Sequence, residues 1–245
     1  MLFEKVEKIG DVELAGPVIV GVMRRLSVHD AHESGADIIE LRLDLLEEED
    51  KSTAKVKEFI TELKQPVIVT NRRKEEGGSF AGTEAQRIEL LNDILETGSV
   101  NAVDIEFYSP EASKSVIVEK AKSLHIPIIF SFHDFYGMPS RSDILNIIAG
   151  MYEEGGSIAK IAVTPKRLSD ALLLLNMTHE LATEGKRMVT IGMGAIGRHL
   201  RVIAPLYGSV LTYGFIEGEG VAPGQFSVKA LRRMLNELML KKSVS

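Results

Sequence analysis

Lys160 stands in the middle of the apolar run Ile158-Ala-Lys-Ile-Ala-Val163, a setting where lysine is rare because burial penalises its charge. A desolvated amine near other cations sheds its proton more readily, and the free amine attacks a ketone to give a Schiff base. A structural ion pair with an interior acid is the competing reading. His133 closes a second apolar run, Ile126-Pro-Ile-Ile-Phe-Ser-Phe-His133, just before Asp134-Phe135. That strand-to-loop position suits proton transfer near neutral pH, and equally a histidine satisfied by hydrogen bonds at a rim. In Glu40-Leu-Arg-Leu-Asp-Leu45 the charges alternate strictly with leucine, so an extended chain puts Glu40, Arg42 and Asp44 on one face.

Three loops add polar groups. Arg72-Arg-Lys-Glu-Glu76-Gly77-Gly78 follows an apolar run, so Arg72 projects from a strand tip, where a guanidinium can hold a carboxylate in two contacts. Arg73, Lys74 and Glu75 need no more explanation than a solvated charge run. Gly192-Met-Gly194-Ala-Ile-Gly197 has the spacing of a dinucleotide-binding turn. Only one further strand follows it, too little for a mononucleotide-binding half, so a tight turn with close backbone packing is the simpler reading. The segment from Thr212 to Gln225 is glycine-rich and feeds a final helix, whose start offers backbone donors to a phosphate or a carboxylate. His29 and His32 share helical spacing but have no accompanying ligand motif, so no metal site is expected.

The elements that must position these residues alternate along the chain. Eight runs rich in Val, Ile and Phe cover 17–22, 36–45, 66–71, 101–107, 126–132, 157–163, 186–192 and 209–215. Helical periodicity fills 52–63, 84–95, 110–124 and 168–182, and returns at 226–240. Such alternation implies a parallel sheet, and eight units without a linker favour closure into a single-domain α/β (β/α)₈ TIM barrel spanning 1–245. In a barrel the leucines of 40–45 face the helices and the charges face the axis. Asp104 with Glu106, Thr70 with Arg72, and Ser131 with His133 repeat that parity, as does Lys160 with Ala162 and Thr164. Arg42, Arg72 and Lys160 then roughly balance Glu40, Asp44, Asp104 and Glu106, as buried charges require. Barrel sites lie at the C-terminal ends of the strands, near this cluster.

Composition narrows the partners. A net charge of -6 without any basic block speaks against nucleic acid and anionic membranes. The charged start Met1-Leu-Phe-Glu-Lys-Val-Glu-Lys8 and the lack of any long apolar stretch point to a cytoplasmic protein without a membrane span. With no cysteine, thiolate catalysis and Cys-ligated zinc are excluded.

Taken in order, these motifs resemble the type I 3-dehydroquinate dehydratases over essentially the whole chain. Glu40-Leu-Arg42-Leu-Asp44, Thr70-Asn-Arg72 with Glu76-Gly-Gly, Ser131-Phe-His133-Asp134-Phe135, Lys160-Ile-Ala-Val, Met193-Gly and Ala222-Pro-Gly-Gln225 carry the resemblance. Val221 departs from it, since members commonly have Ser or Thr there. The resemblance implies dehydration of 3-dehydroquinate, a shikimate-pathway step in aromatic amino-acid biosynthesis, with Lys160 forming a Schiff base at the C3 ketone. His133 would remove the C2 proton and return one to the departing C1 hydroxyl, with Glu76 orienting it. Arg42 and Glu40 would hold ring hydroxyls or the surroundings of the lysine, and Arg72, Arg201 and Gln225 would grip the carboxylate and neighbouring oxygens. The spacing from Met193 assigns that carboxylate role to Arg201 rather than Arg198, and Met193 and Tyr213 join the substrate-binding set. No cofactor is implied, since the lysine is the electron sink, and a homodimer is compatible. A class I aldolase would use the same lysine to cleave a carbon-carbon bond, and a carboxylate-binding barrel without catalysis is the remaining alternative.

Overall fold

The computed structural model describes residues 7–239 of the 245. The chain enters through a short antiparallel hairpin, Lys8–Ile9 (β1) with Val12–Glu13 (β2), turned by Gly10 at φ 58°. A side chain at Gly10 would strike Pro66 and Asn101, which precede two later strands. The hairpin therefore sits at the N-terminal ends of the barrel strands, with Ile9 and Leu14 buried in the interior cluster.

Eight parallel strands follow: Val18–Met23 (β3), Ile38–Arg42 (β4), Val67–Thr70 (β5), Ala102–Glu106 (β6), Ile128–Asp134 (β7), Ile158–Val163 (β8), Met188–Gly192 (β9) and Leu211–Phe215 (β10). From β3 to β9 each pairs with the next, and β10 pairs with β3. The remaining seam, between β9 and β10, is joined by a bridge at Met188 and Ser209, with Val210 donating to the Met188 carbonyl at 2.9 Å. Around the outside lie Val28–Glu33 (α1), Thr53–Glu62 (α2), Glu84–Glu96 (α3), Glu111–Leu124 (α4), Arg141–Glu153 (α5), Leu168–Thr183 (α6), Gly194–Gly197 (α7), Leu200–Ile203 (α8) and Val228–Leu238 (α9). Ser52, Thr83, Ser140 and Ser227 cap four of them with side-chain acceptors.

The period of two splits the apolar residues into two clusters. Outward residues such as Ile39, Leu41, Val69, Val103, Ile105 and Ile161 pack against the helices. Inward residues Val20, Ile38, Ile68, Ala102, Ile129, Ile158, Val189 and Leu211 fill the axis. Beyond that apolar layer β4 to β8 turn polar inside, whereas Val22 of β3 and Ile191 of β9 keep their side of the axis apolar. The cavity above the plug thus has one charged wall and one apolar wall.

The expected elements are present with ends shifted by a few residues, and the strand expected over 126–132 runs on to Asp134. The strand expected over 36–45 stops at Arg42, and Leu43–Leu45 form a 3₁₀ turn. Asp44 therefore leaves the strand face, because turning there lets its carboxylate reach the Arg42 guanidinium. The last helix begins at Val228, since Ser227 caps it, and residue 240 of the expected 226–240 lies outside the described residues, as does most of the charged start. Gly192 and Gly197 approach so closely that a Cβ on Gly192 would lie 2.3 Å from the Gly197 carbonyl oxygen, which accounts for that glycine spacing as a packing device.

Candidate active site

The inward polar residues form one connected network. Ser131 of β7 pairs in register with Lys160 of β8, and Thr70 of β5 with Asp104 of β6. Lys160 Nζ donates to Asp104 Oδ2 at 2.8 Å and lies 3.5 Å from Glu40 Oε1, which also accepts from Thr70 Oγ1 at 2.9 Å. Arg72 donates to Asp104 Oδ1 at 2.9 Å, Glu106 Oε1 at 2.8 Å and Ser131 Oγ at 2.6 Å. Arg87 of α3 completes the far side by donating to Glu106 Oε2 at 3.1 Å and to the Asn71 carbonyl. Every one of these groups is buried, and a buried charge persists only when paired in this way. Burial alone would raise the Asp104 carboxyl, but Arg72 and Lys160 outweigh it and hold it well below the usual carboxylate range.

Lys160 is thus at once ion-paired and at the edge of a cavity. Its apolar strand mates point alternately to the helices and the axis, and its Nζ lies over the Tyr213 ring, 4.0 Å from the centroid. The cations that the sequence reading invoked around the lysine are present in the network, but its nearest partners are acids.

His133, one inward step beyond Ser131, meets Glu76 from the loop after β5. One oxygen, Glu76 Oε2, accepts from the His133 backbone N–H and lies 3.0 Å from Nδ1. Donation from Nδ1 leaves the Nε2 lone pair for a substrate proton. Burial, then Arg72 and Lys160, push the imidazole well below its usual range, so it rests neutral. Burial pushes Glu76 up to about 7, with Arg72 pulling the other way. The loop reaches this position because Gly77 adopts φ 82°, and a side chain there would strike the Phe135 ring at 2.5 Å. Phe135 in turn stacks on His133, with centroids 6.4 Å apart and an 18° interplanar angle.

Arg201 of α8 is 1% exposed and has no acid partner among the described residues. Its terminal nitrogens make only long contacts to the carbonyls of Tyr213, at 3.5 Å, and Pro223, at 3.4 Å, and its Nε has no partner. Burial, then Arg198, bring its guanidinium down to about 10. Such a cation is set for an incoming anion, since leaving a buried charge uncompensated costs about 3–5 kcal/mol. Arg198 is exposed and stacks on Phe226 instead.

Lys160, His133, Glu76, Glu40, Arg42, Arg72, Arg201, Gln225, Met193 and Tyr213 all line one cavity that opens to solvent. Two of the guanidiniums in it already have acid partners. Both terminal nitrogens of Arg72 are engaged by Asp104, Glu106 and Ser131, whereas those of Arg201 meet no acid among the described residues. Arg42 is held by Asp44, with Nε at 2.8 Å and Nη2 at 2.7 Å. The Gln225 amide oxygen closes its own loop by accepting from the Val221 N–H at 2.8 Å. Sequence reasoning did not single out Arg87, and it gave Phe135 no role beyond its place in the histidine motif. Arg87 had one signal, a charge on the helix face shared by Ile88, Leu91 and Leu95.

Residues 22–242 match the family model described as type I 3-dehydroquinase. Among curated proteins, the 3-dehydroquinate dehydratase of Methanosarcina acetivorans is 43% identical over 212 residues, covering 85% of this chain and 88% of its own. That of Methanothermobacter thermautotrophicus is 39% identical over 209 residues, with the same two coverages. Among solved structures, 3-dehydroquinate dehydratase from Geobacillus kaustophilus superposes with a TM-score of 0.83 at 25% identity over 91% of each chain. The type I enzyme from Clostridium difficile, solved with covalent modified comenic acid, gives 0.82 at 27% identity, covering 95% of this chain and 96% of its own.

Proposed function

Because the chain belongs to the type I 3-dehydroquinase family, we propose that it converts 3-dehydroquinate to 3-dehydroshikimate, the shikimate-pathway dehydration, through an imine on Lys160. The observation that carries this reading is the meeting of three groups in one cavity: an amine, a neutral imidazole braced by a carboxylate, and an unpaired buried guanidinium. A keto-acid with a β-hydroxyl uses all three.

Arg201, with Gln225 beside it, takes the substrate carboxylate in the dry end of the cavity, where a bidentate contact is strongest. That grip presents the C3 ketone to Lys160. The ammonium passes one proton to Glu40, since Asp104 is held ionised by Arg72, and the free amine adds to the ketone. Loss of water leaves an iminium whose positive nitrogen draws electrons from the C2–H bond. His133 Nε2 removes the C2 proton, and Glu76 steadies the imidazolium through Nδ1. The C1 hydroxyl then leaves with a proton from His133, and hydrolysis of the conjugated imine frees the product and the lysine. Met193 and Tyr213 form the apolar side against which the ring lies, and Arg42 and Arg72 keep the acids in place. A cytoplasmic location goes with this biosynthetic role, and no helix among the described residues is long and apolar enough to cross a membrane.

Purified protein mixed with 3-dehydroquinate should generate the ultraviolet absorbance of a conjugated enone, and Lys160→Ala should not. No absorbance rise with substrate that another dehydratase converts would contradict the proposal. Carbon-carbon cleavage products would replace it with an aldolase.

A further inference from the structure

Tyr213 is 4% exposed on the inner face of β10, and its hydroxyl is fully buried without a hydrogen-bond partner among the described residues. An orphaned buried donor costs about 1–3 kcal/mol, so a site that keeps one is expected to use it. The neighbouring acids do not serve it. Glu40 and Asp104 face Thr70, Lys160, Arg72 and Ser131 instead, and neither accepts from the Tyr213 hydroxyl. Burial, with Glu40 and Asp104 adding to it, keeps the phenol protonated, so it is a donor throughout the working pH range. Lys160 Nζ lies over the same ring, 4.0 Å from its centroid. The orphaned O–H therefore borders the point where the amine meets its electrophile.

We infer that the Tyr213 hydroxyl donates a hydrogen bond to the substrate's ketone oxygen as Lys160 attacks, and so speeds formation of the imine. This rests on the imine reading above and adds a residue to its first step. Addition forms the C–N bond and breaks the C=O π bond, whose electron pair goes to the ketone oxygen, where the Tyr213 hydrogen bond supports it. Of the three ammonium protons, one stays on the iminium nitrogen and two leave with that oxygen as water, one of them by way of Glu40. Tyr213 keeps its own proton. The ring has a separable role, because its face would hold the cationic nitrogen even without the hydroxyl.

Tyr213→Phe keeps the ring and removes only the O–H. In single-turnover mixing of full-length protein with 3-dehydroquinate, quenched by borohydride at successive times, the reduced adduct on Lys160 should appear about 10- to 100-fold more slowly than in the parent, up to the loss typical of one oxyanion donor. The thermal midpoint should not fall, because deleting an unpartnered donor is neutral or stabilising, whereas loss of a structural hydrogen bond would lower it. Adduct formation at the parent rate in Tyr213→Phe, with the parent trapping normally, overturns this inference alone. An unchanged trapping rate with a raised KM would likewise overturn it, moving the hydroxyl to another substrate oxygen. No adduct in the active parent overturns the imine reading and this inference with it.

Discussion

Glu76 Oε2 accepts from both the backbone N–H and, at 3.0 Å, the Nδ1 of His133, so a single carboxylate oxygen sets both the strand end and the ring. Because burial raises Glu76 to about 7, its protonated form is favoured by folding. The sign follows directly: this contribution to stability is full below the unfolded value near 4.5 and is lost as pH rises through 7. Glu76→Gln has no such titration. The unfolding free energy of the parent minus that of Glu76→Gln should fall between pH 5 and pH 8, by something on the order of 1–3 kcal/mol. Urea titrations at the two pH values check it, and a difference that rises instead would contradict the buried placement of Glu76.

His133→Ala should still form the imine on Lys160, since amine attack and proton abstraction are separate steps. Turnover should drop by about 10²–10⁴-fold, the usual worth of a general base. Borohydride trapping and steady-state rates measured on the same sample separate the two steps. Near-normal turnover would assign the proton to another group.

The barrel and the polar interior were legible in the sequence because a strand's period of two leaves little freedom: once the leucines of β4 face the helices, Glu40 and Arg42 must face the axis. Lys160 stood out for the same reason. What the sequence did not show depends on where long side chains end. Arg72 occupies a strand tip, as expected, but its guanidinium turns down to Asp104 and Glu106, and nothing in a one-dimensional pattern distinguishes that from reaching up to a ligand. Asp44 follows the alternation yet sits in a 3₁₀ turn, because an ion pair with Arg42 outweighs another residue of strand. Arg87 arrives from a helix 19 positions before Glu106 in sequence, a contact set only by the packing of α3 on the barrel. The unpartnered Tyr213 hydroxyl is visible only when every neighbouring acceptor has been accounted for.

Arg201→Leu and Arg201→Lys should both raise the KM for 3-dehydroquinate, Leu more than Lys, because an ammonium cannot reproduce the planar fork. Arg198→Leu should have the smaller effect, since Arg198 is exposed and lies over Phe226. Steady-state kinetics of the three variants decide the matter. Parent-like kinetics for Arg201→Leu would remove the assignment, and a larger loss at Arg198 would transfer it.

Asp104→Asn leaves Lys160 and Arg72 without their shared carboxylate in a dry interior. Breaking a buried pair in this way should lower the unfolding free energy by about 3 kcal/mol or more. Denaturant titration at neutral pH gives the number. A loss under about 1 kcal/mol, the level of an exposed pair, would contradict the burial of this network.

The central claim is that Lys160 becomes covalently bound to the substrate. Borohydride added during turnover of 3-dehydroquinate reduces an imine to a secondary amine that cannot hydrolyse, so the adduct survives digestion and peptide mass mapping. The account predicts one ligand per chain, on the peptide carrying Lys160. An adduct on a different lysine, or an unmodified Lys160 peptide from a sample with proven turnover, would contradict it.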